Sequence, residues 1–344
     1  MLRGAMFTMA LGVGGLLMAG SVLAEPVSKQ YQANLNRSSC ESLARGADFL
    51  ASAQVESRNG LVGWSWQAGV EALAPNQAGL VSLSLLDAYE SLGEVSYLHA
   101  AERYAEALVA AYRRDNDGLF AYKPDIEFLG RLGKLLSEPS YTEAAHDLFL
   151  HQLSRSPLGA DEIARIAEGR KSRPSLLGFD GALAIRAALA VGERAYAHQL
   201  ADALVARSAQ WYRPTKDLRF SLISAAALVP ALEQLDAAHH ARLVARFRAD
   251  LTRLQEAEGS WLSNESQVTA YAVMALAKSP LADQRDAAGR GAAWLKSTAL
   301  QAGSFATFND YMPEPFVGEV LHEVSAEALN ALALACRAEH PRAN

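Results

Sequence analysis

Two groups of side chains in this chain have the right types and spacing to do chemistry. The first is ionisable. His322, Glu323 and Glu319 stand together, with Asp310 and Tyr311 just upstream, while Asp125, Asp180, Arg219 and Asn264 mark the beginnings of other apolar stretches. Two carboxylates a few ångströms apart can serve as acid and base in glycoside hydrolysis, and a Tyr/His pair beside an Asn or Arg that neutralises charge suits eliminative cleavage of an acidic glycan. His322, Tyr311, Arg219, Asp180 and Glu323 are therefore the catalytic candidates. The competing account of Asp180 and Glu323 is helix capping and dipole stabilisation, worth ~0.5–1 kcal/mol each.

The second group is aromatic. Trp64, Trp66, Trp211 and Trp261 fall between apolar stretches, as do Tyr122, Tyr212, Phe308 and Phe316. Exposed aromatic rings stack on the apolar C–H faces of sugars, so Trp64, Trp66, Tyr122 and Trp211, with the polar Asn264 and Asp310, are the substrate-binding candidates. Trp261, Trp294 and Phe49 read instead as plugs between helices. Of the eight His residues only His322 begins a strongly apolar helix, so no multi-His metal site and no cofactor is expected. Ser and Cys nucleophile signatures are missing.

These residues must be positioned by helices. The hydrophobic striping has a helical period almost throughout, and period-2 strands are absent. Two kinds of stretch alternate. Leu80 to Leu92, Phe179 to Val191, Phe220 to Val229, Gln267 to Ala277 and Val324 to Cys336 are nearly free of charge and must be buried. Cys40 to Gln54, Leu98 to Arg114, Glu193 to Arg207, Ala237 to Gln255 and Asp283 to Leu300 carry a charged stripe. Adding Tyr122 to Leu136 and Tyr141 to Gln152 gives six of each. Strict alternation predicts an all-α (α/α)6 toroid, an inner barrel wrapped by an outer one. An open solenoid would need polar terminal repeats, whereas here the last stretch is among the most apolar.

Inner-to-outer turns are short, as at Leu92-Gly93-Glu94 and Val191-Gly192-Glu193. The outer-to-inner connections are long: Val55 to Pro75, Arg155 to Pro174 and Gln301 to Val317. The long loops should share one face, around a depression lined by Trp64, Trp66, Tyr122, Trp211 and Tyr311.

The first 24 residues read as a signal peptide: Arg3, an apolar run from Met6 to Leu23, then Val22-Leu23-Ala24 before Glu25-Pro26. A polar lead-in, 25–37, precedes a single domain, 38–340. The chain's net charge of −6 becomes −7 without Arg3, the leader's one charged residue. That argues against nucleic acid and anionic membranes as partners. A periplasmic or secreted monomer is expected.

Arg45-Gly46-Ala47-Asp48-Phe49-Leu50 is repeated as Arg290-Gly291-Ala292-Ala293-Trp294-Leu295, and Gln255-Glu256-Ala257-Glu258-Gly259-Ser260-Trp261 carries a Q-x3-G-x-W turn. Gln54, Gly63 and Trp64, then Gln301, Gly303 and Phe305, are variants of that turn. A period of roughly 45–55 residues marks a helix-pair repeat. The pattern resembles the QW repeat of squalene-cyclase and protein-prenyltransferase toroids. It implies their fold, with Gly making the tight turn, Gln bonding backbone at a helix end and the aromatic plugging between hairpins. Their chemistry is not implied: the D-x-D-D run of the cyclases, the zinc ligands of the prenyltransferases and the G-C-x-E-Q thioester stretch of the complement-type toroids are all missing.

Exported α/α toroids include polysaccharide lyases and glycoside hydrolases that bind glycans across this mouth. The functional expectation is therefore a carbohydrate-active enzyme with a poly- or oligosaccharide substrate. A non-catalytic toroid that binds glycan or protein is the alternative, with a terpenoid-cyclase-like enzyme behind it. Finally, ring closure would bring the first outer helix beside the last inner one, predicting a disulfide between Cys40 and Cys336.

Overall fold

The structure, a computed structural model, describes residues 34, 36–57, 60–114, 121–155, 158–169, 174–263, 265–306 and 318–340. Six hairpins follow one another, each an outer helix and then an inner one. They are α1 (Ser39–Ser52) and α2 (Pro75–Leu92), α3 (Val95–Arg114) and α4 (Lys123–Leu136), then α5 (Pro139–Arg155) with, after the short α6 (Ala160–Ala167), α7 (Leu177–Val191). The remaining three are α8 (Arg194–Ala206), followed by the short α9 (Ser208–Trp211), with α10 (Leu218–Asp236), α11 (Ala241–Arg253) with α12 (Ser266–Leu276), and α13 (Ala282–Thr298) with α14 (His322–Glu339). The connection from Arg155 to Pro174, read from sequence as loop, thus carries a helix of its own.

The inner helices α2, α4, α7, α10, α12 and α14 touch in that order, and α14 returns to α2, closing the ring. This is the α/α toroid that the alternation of apolar and amphipathic stretches predicts. The stretch Pro174–Val191 and helix Leu218–Asp236 are long and apolar enough to cross a bilayer by length and composition, whereas the sequence reading finds no long uncharged apolar run after the leader. Both stand in the inner ring, largely buried inside the protein.

Local chemistry fixes the helix ends. Ser38 and Glu41 form a capping box on α1, Asp217 caps α10 by accepting from the Phe220 N–H, and Glu265 caps α12 by accepting from the Val268 N–H. Gly93, Ser137 and Gly192 end α2, α4 and α7 in the left-handed conformation.

The repeat residues do what the resemblance implied. The Trp64, Trp211 and Trp261 indole N–H groups donate to the carbonyls of Leu50, Leu204 and Leu251, each in the last turn of an outer helix. A helix-end carbonyl gains a hydrogen bond and a hydrophobic plug is seated by one side chain. Gln255 donates to the carbonyls of Gly259 and Ala287. Gly259 has φ +100°, and a Cβ there would lie 2.5 Å from the Arg290 carbonyl oxygen. Gly303, with φ +88°, meets the Arg45 carbonyl carbon in the same way, also at 2.5 Å. The last repeat therefore seats on the first as an internal repeat seats on its successor.

Cys40 and Cys336 form a disulfide, with Cα atoms 4.7 Å apart. Ser39 adds a backbone hydrogen bond of 2.9 Å to Glu339 at the same seam. Within the lead-in, Asn34 is buried and its amide donates to the carbonyls of Ser297 and Ala299, so the tethered chain begins before residue 37. The β1–β2 ribbon (Val55–Glu56, Val62–Gly63) and bridges Gln67↔Leu321 and Ala306↔Val320 tie the described parts of the Val55–Pro75 and Gln301–Val317 connections into one face.

Candidate functional site

Each inner helix turns one stripe of side chains to the ring axis. On α14 the stripe reads Glu323, Glu327, Asn330, Leu334, Arg337; on α12 it reads Gln267, Tyr271, Met274 and, just past the helix end, Lys278. Spacings of three and four residues keep each set on one face. The axis therefore has two ends of different character: a mouth where the inner helices begin and a well where they end.

At the mouth, the Trp66 indole N–H donates to Glu323 Oε2 at 3.0 Å. One turn deeper, the Gln267 amide donates to Glu327 Oε1 at 3.0 Å, and the Tyr271 hydroxyl is hydrogen-bonded to the same carboxyl group. Arg219 holds the Gln267 amide oxygen at 3.0 Å and Glu265 at 3.2 Å. Burial pushes the Glu323 pKa up, against the pull of the Trp66 hydrogen bond and the Arg219 charge. The Glu327 pKa is pushed well above the ordinary carboxylate range, by burial first and then by the charge of Glu323. Glu323 is partly exposed, whereas Glu327 is fully enclosed. The mouth thus presents one accessible carboxyl group inclined to hold its proton, with one oxygen fixed by an indole.

The other sequence candidates fall out unevenly. Trp66, Glu323 and Arg219 are brought together. Asp180 is exposed in crowded surroundings near the start of α7, the inner helix opposite α14. Desolvation raises its pKa, and the neighbouring Lys123 charge opposes the shift. Tyr122 is half-buried at the N-cap of α4, where its N–H donates to Asp125 Oδ2 at 2.7 Å. Asp125 itself is buried, accepts from the Tyr104 hydroxyl at 2.7 Å, and is pushed by burial to a pKa of about 6. It is a helix cap and not a mouth residue. Glu319 bonds Gln67 at 3.0 Å.

Three expectations are corrected. Trp64 and Trp211 do not line a depression: both are fully buried, because their indoles cap the ends of α1 and α8. His322 is not at the opening. It is 2% exposed, its ring lies 5.5 Å from Phe49, and its Nδ1 sits 2.6 Å from the Ser65 carbonyl oxygen. Burial lowers its pKa, so it stays neutral, and its backbone N–H anchors the Trp66 carbonyl. The role this geometry supports is holding the 63–67 turn over α14. Asn264, Asp310 and Tyr311 lie outside the described residues.

The well is the feature that sequence reasoning missed. A cavity of about 800 Å³ opens where the inner helices end, and all six supply its wall. Arg131 bridges Asp87 and Glu90 at 2.9 and 3.2 Å, and Arg186 grips Glu127 at 2.7 Å. The signal was legible: a charged residue inside a helix that is apolar on its other faces can only face the axis.

No protein-family profile matches the chain, and no curated protein matches it. Solved structures do. An α-1,6-mannanase of family GH76 from Salegentibacter sp., an inactive variant bound to α-1,6-mannotriose, is 14% identical, covering 87% of this chain and 99% of its own, with a TM-score of 0.55. A possible member of the GH105 family from Klebsiella pneumoniae is 12% identical over 98% and 100%, with a TM-score of 0.56. A type II terpene cyclase from Scytonema, bound to geranylgeranyl dihydroxybenzoate, is 16% identical over 91% and 99%, with a TM-score of 0.57. At these identities the likeness is of fold, and the fold is the α/α toroid.

Proposed function

We propose that this chain is an exported glycan-active enzyme of the α/α toroid class, working at the mouth where the inner helices begin. The observation that carries the reading is Glu323, a partly exposed carboxyl group with a raised pKa, one oxygen of which is fixed by the Trp66 indole. The oxygen left over holds the proton a glycosidic leaving group needs. Asp180, near the start of the opposite inner helix, is our candidate for the second carboxylate, which would take a proton from water or stabilise positive charge at the anomeric carbon. The partly exposed Trp66 ring adds a surface for a sugar.

Hydrolysis is favoured over elimination, because the His base that a lyase would use is buried and committed to Ser65. The polar axis disfavours an isoprenoid substrate, which needs an apolar cavity. The mannotriose bound by a neighbour of the same fold supports a glycan as partner. The Cys40–Cys336 bond supports export, since such bonds persist in oxidising compartments. One observation favours the non-catalytic alternative: Glu327 and Tyr271, 0% and 3% exposed, fill the axis below Glu323 and leave room only for a shallow contact. The test is a screen of the purified protein against neutral and uronate polysaccharides, following reducing ends and unsaturated products. New reducing ends that disappear in Glu323→Gln support the hydrolase. Unsaturated products would transfer the reading to a lyase, and glycan binding without either product would favour the binder.

A further inference from the structure

The well at the opposite end of the axis is absorbed by none of this. Its wall carries four acids and four bases, but the pairing among them is incomplete. Arg131 is matched by Asp87 and Glu90, Arg186 by Glu127, and Glu233 by Arg248 at 2.7 Å from outside the well. Two cations remain. Among the described residues Arg337 donates only to neutral oxygens, the Asp87 carbonyl at 3.4 Å and the Ser91 hydroxyl at 2.8 Å. Lys278 is exposed on the rim and makes no hydrogen bond or ion pair among the described residues.

Two acceptors are also left over. Glu127 Oε2 and Asn330 Oδ1 are buried atoms of well-lining residues that are 5% and 7% exposed, and neither has a hydrogen-bond partner among the described residues. Leaving such an atom unsatisfied costs about 1–3 kcal/mol, so a ligand that supplies donors gains correspondingly.

The missing partner is thus defined by its chemistry. It must bring negative charge to Lys278 and Arg337 and hydroxyl donors to Glu127 and Asn330. Only two cations are left unmatched, because Asp87, Glu90, Glu127 and Glu233 on the same wall occupy the other guanidinium groups. A phosphate-rich ligand would bring more negative charge than Lys278 and Arg337 can match, whereas a short sugar with one carboxylate per ring meets both demands. Pro230, Met274 and Leu334 give the wall an apolar side for C–H faces. A volume of about 800 Å³ lies within the usual ligand-site range and exceeds what a single sugar ring fills.

We propose that the well is a second binding site, for a short acidic oligosaccharide of uronate type, and that it is separate from the mouth. The well holds this ligand whether or not the mouth is catalytic.

The experiment is calorimetric titration of the intact protein with digalacturonate, and with galactobiose as the uncharged counterpart. Digalacturonate should bind and galactobiose should bind far less. Lys278→Ala and Arg337→Ala should each weaken digalacturonate by roughly tenfold or more, as loss of a charge partner does. Glu323→Gln, at the other end, should bind like wild type. Lys278 is exposed, so its variant tests the site without risk to folding, and far-ultraviolet dichroism confirms that. No binding of digalacturonate, equal binding of galactobiose, or unchanged affinity in Lys278→Ala would each overturn the proposal.

Discussion

The two ends of the ring axis are built from the same six helices, yet one is plugged and the other open. At the mouth, outer-to-inner connections such as Val55–Pro75 are long enough to fold back over the inner ring. His322, Trp66 and Gln67 tie one such connection down. At the well, turns such as Gly93-Glu94, between α2 and α3, run outward to the next outer helix and leave the axis uncovered. Loop length thus decides more than where loops lie. Long loops cover a carboxyl group and raise its pKa, and short turns leave a wide basin lined by charges of both signs.

The seam between the ends gives the largest expected effect. Cys40–Cys336 closes a loop with a sequence separation of 296 residues at the end of α14, and loop-entropy arguments credit such a bond with about 5 kcal/mol. Reduction, or Cys40→Ser, should lower the denaturation midpoint markedly. Hydrogen exchange should increase first in the last turns of α14, beside Arg337, before the mouth loosens. Uniform loosening of both ends would remove the distinction between them.

Glu323→Gln should lower glycan cleavage by a factor of about 10²–10⁴, the range for a lost general acid, with little change in stability. Lys278→Ala should leave turnover unchanged.

The acids of the mouth also leave a mark on stability. Glu327 and Glu323 have folded-state pKa values above their unfolded ones, so the folded protein binds more protons. Their contribution is fully present below the ordinary carboxylate pKa and is lost as pH rises through the folded values. Unfolding free energy measured by urea titration should therefore fall as pH rises above about 4.5, the ordinary Glu value. Glu327→Gln should flatten that fall. A slope unchanged in Glu327→Gln would mean that the proton is held elsewhere.

The smallest effect separates Trp66 from the plugs. Trp66→Phe keeps the ring and loses one N–H, costing about 0.5–1.5 kcal/mol at most in stability, with a visible drop in turnover. Trp261→Phe removes the indole hydrogen bond to the Leu251 carbonyl and part of a fully buried ring, and should cost stability, about 1–3 kcal/mol, without touching turnover selectively.

How much of this could be read beforehand depended on whether a residue answered to a local rule. The alternation of apolar and charged-stripe helices, the Gly turns and the Q-x3-G-x-W plugs are local, and they specified the toroid and the Cys40–Cys336 seam. Trp64 and Trp66 show the limit. Two residues apart in one turn, Trp64 bonds the Leu50 carbonyl in the core and Trp66 bonds Glu323 at the mouth. Trp211 was misread for a related reason: nothing in composition distinguishes a loop Trp that caps a carbonyl from one that faces solvent. His322 begins α14 as expected but is turned under the 63–67 segment, a contact across more than 250 residues. The well lies at the end of the ring away from the long loops, so loop length gives no sign of it. Arg186, a charged residue in the middle of the apolar α7, is the sequence feature that marks the well.

The most direct test of two independent ends is a crossed measurement on one protein preparation, with glycan cleavage and digalacturonate binding each followed in wild type, Glu323→Gln and Lys278→Ala. The account predicts that Glu323→Gln abolishes cleavage and binds digalacturonate normally, while Lys278→Ala cleaves normally and binds it weakly. Variants that lose both properties together, or a Glu323→Gln protein that still cleaves at the wild-type rate, would contradict it.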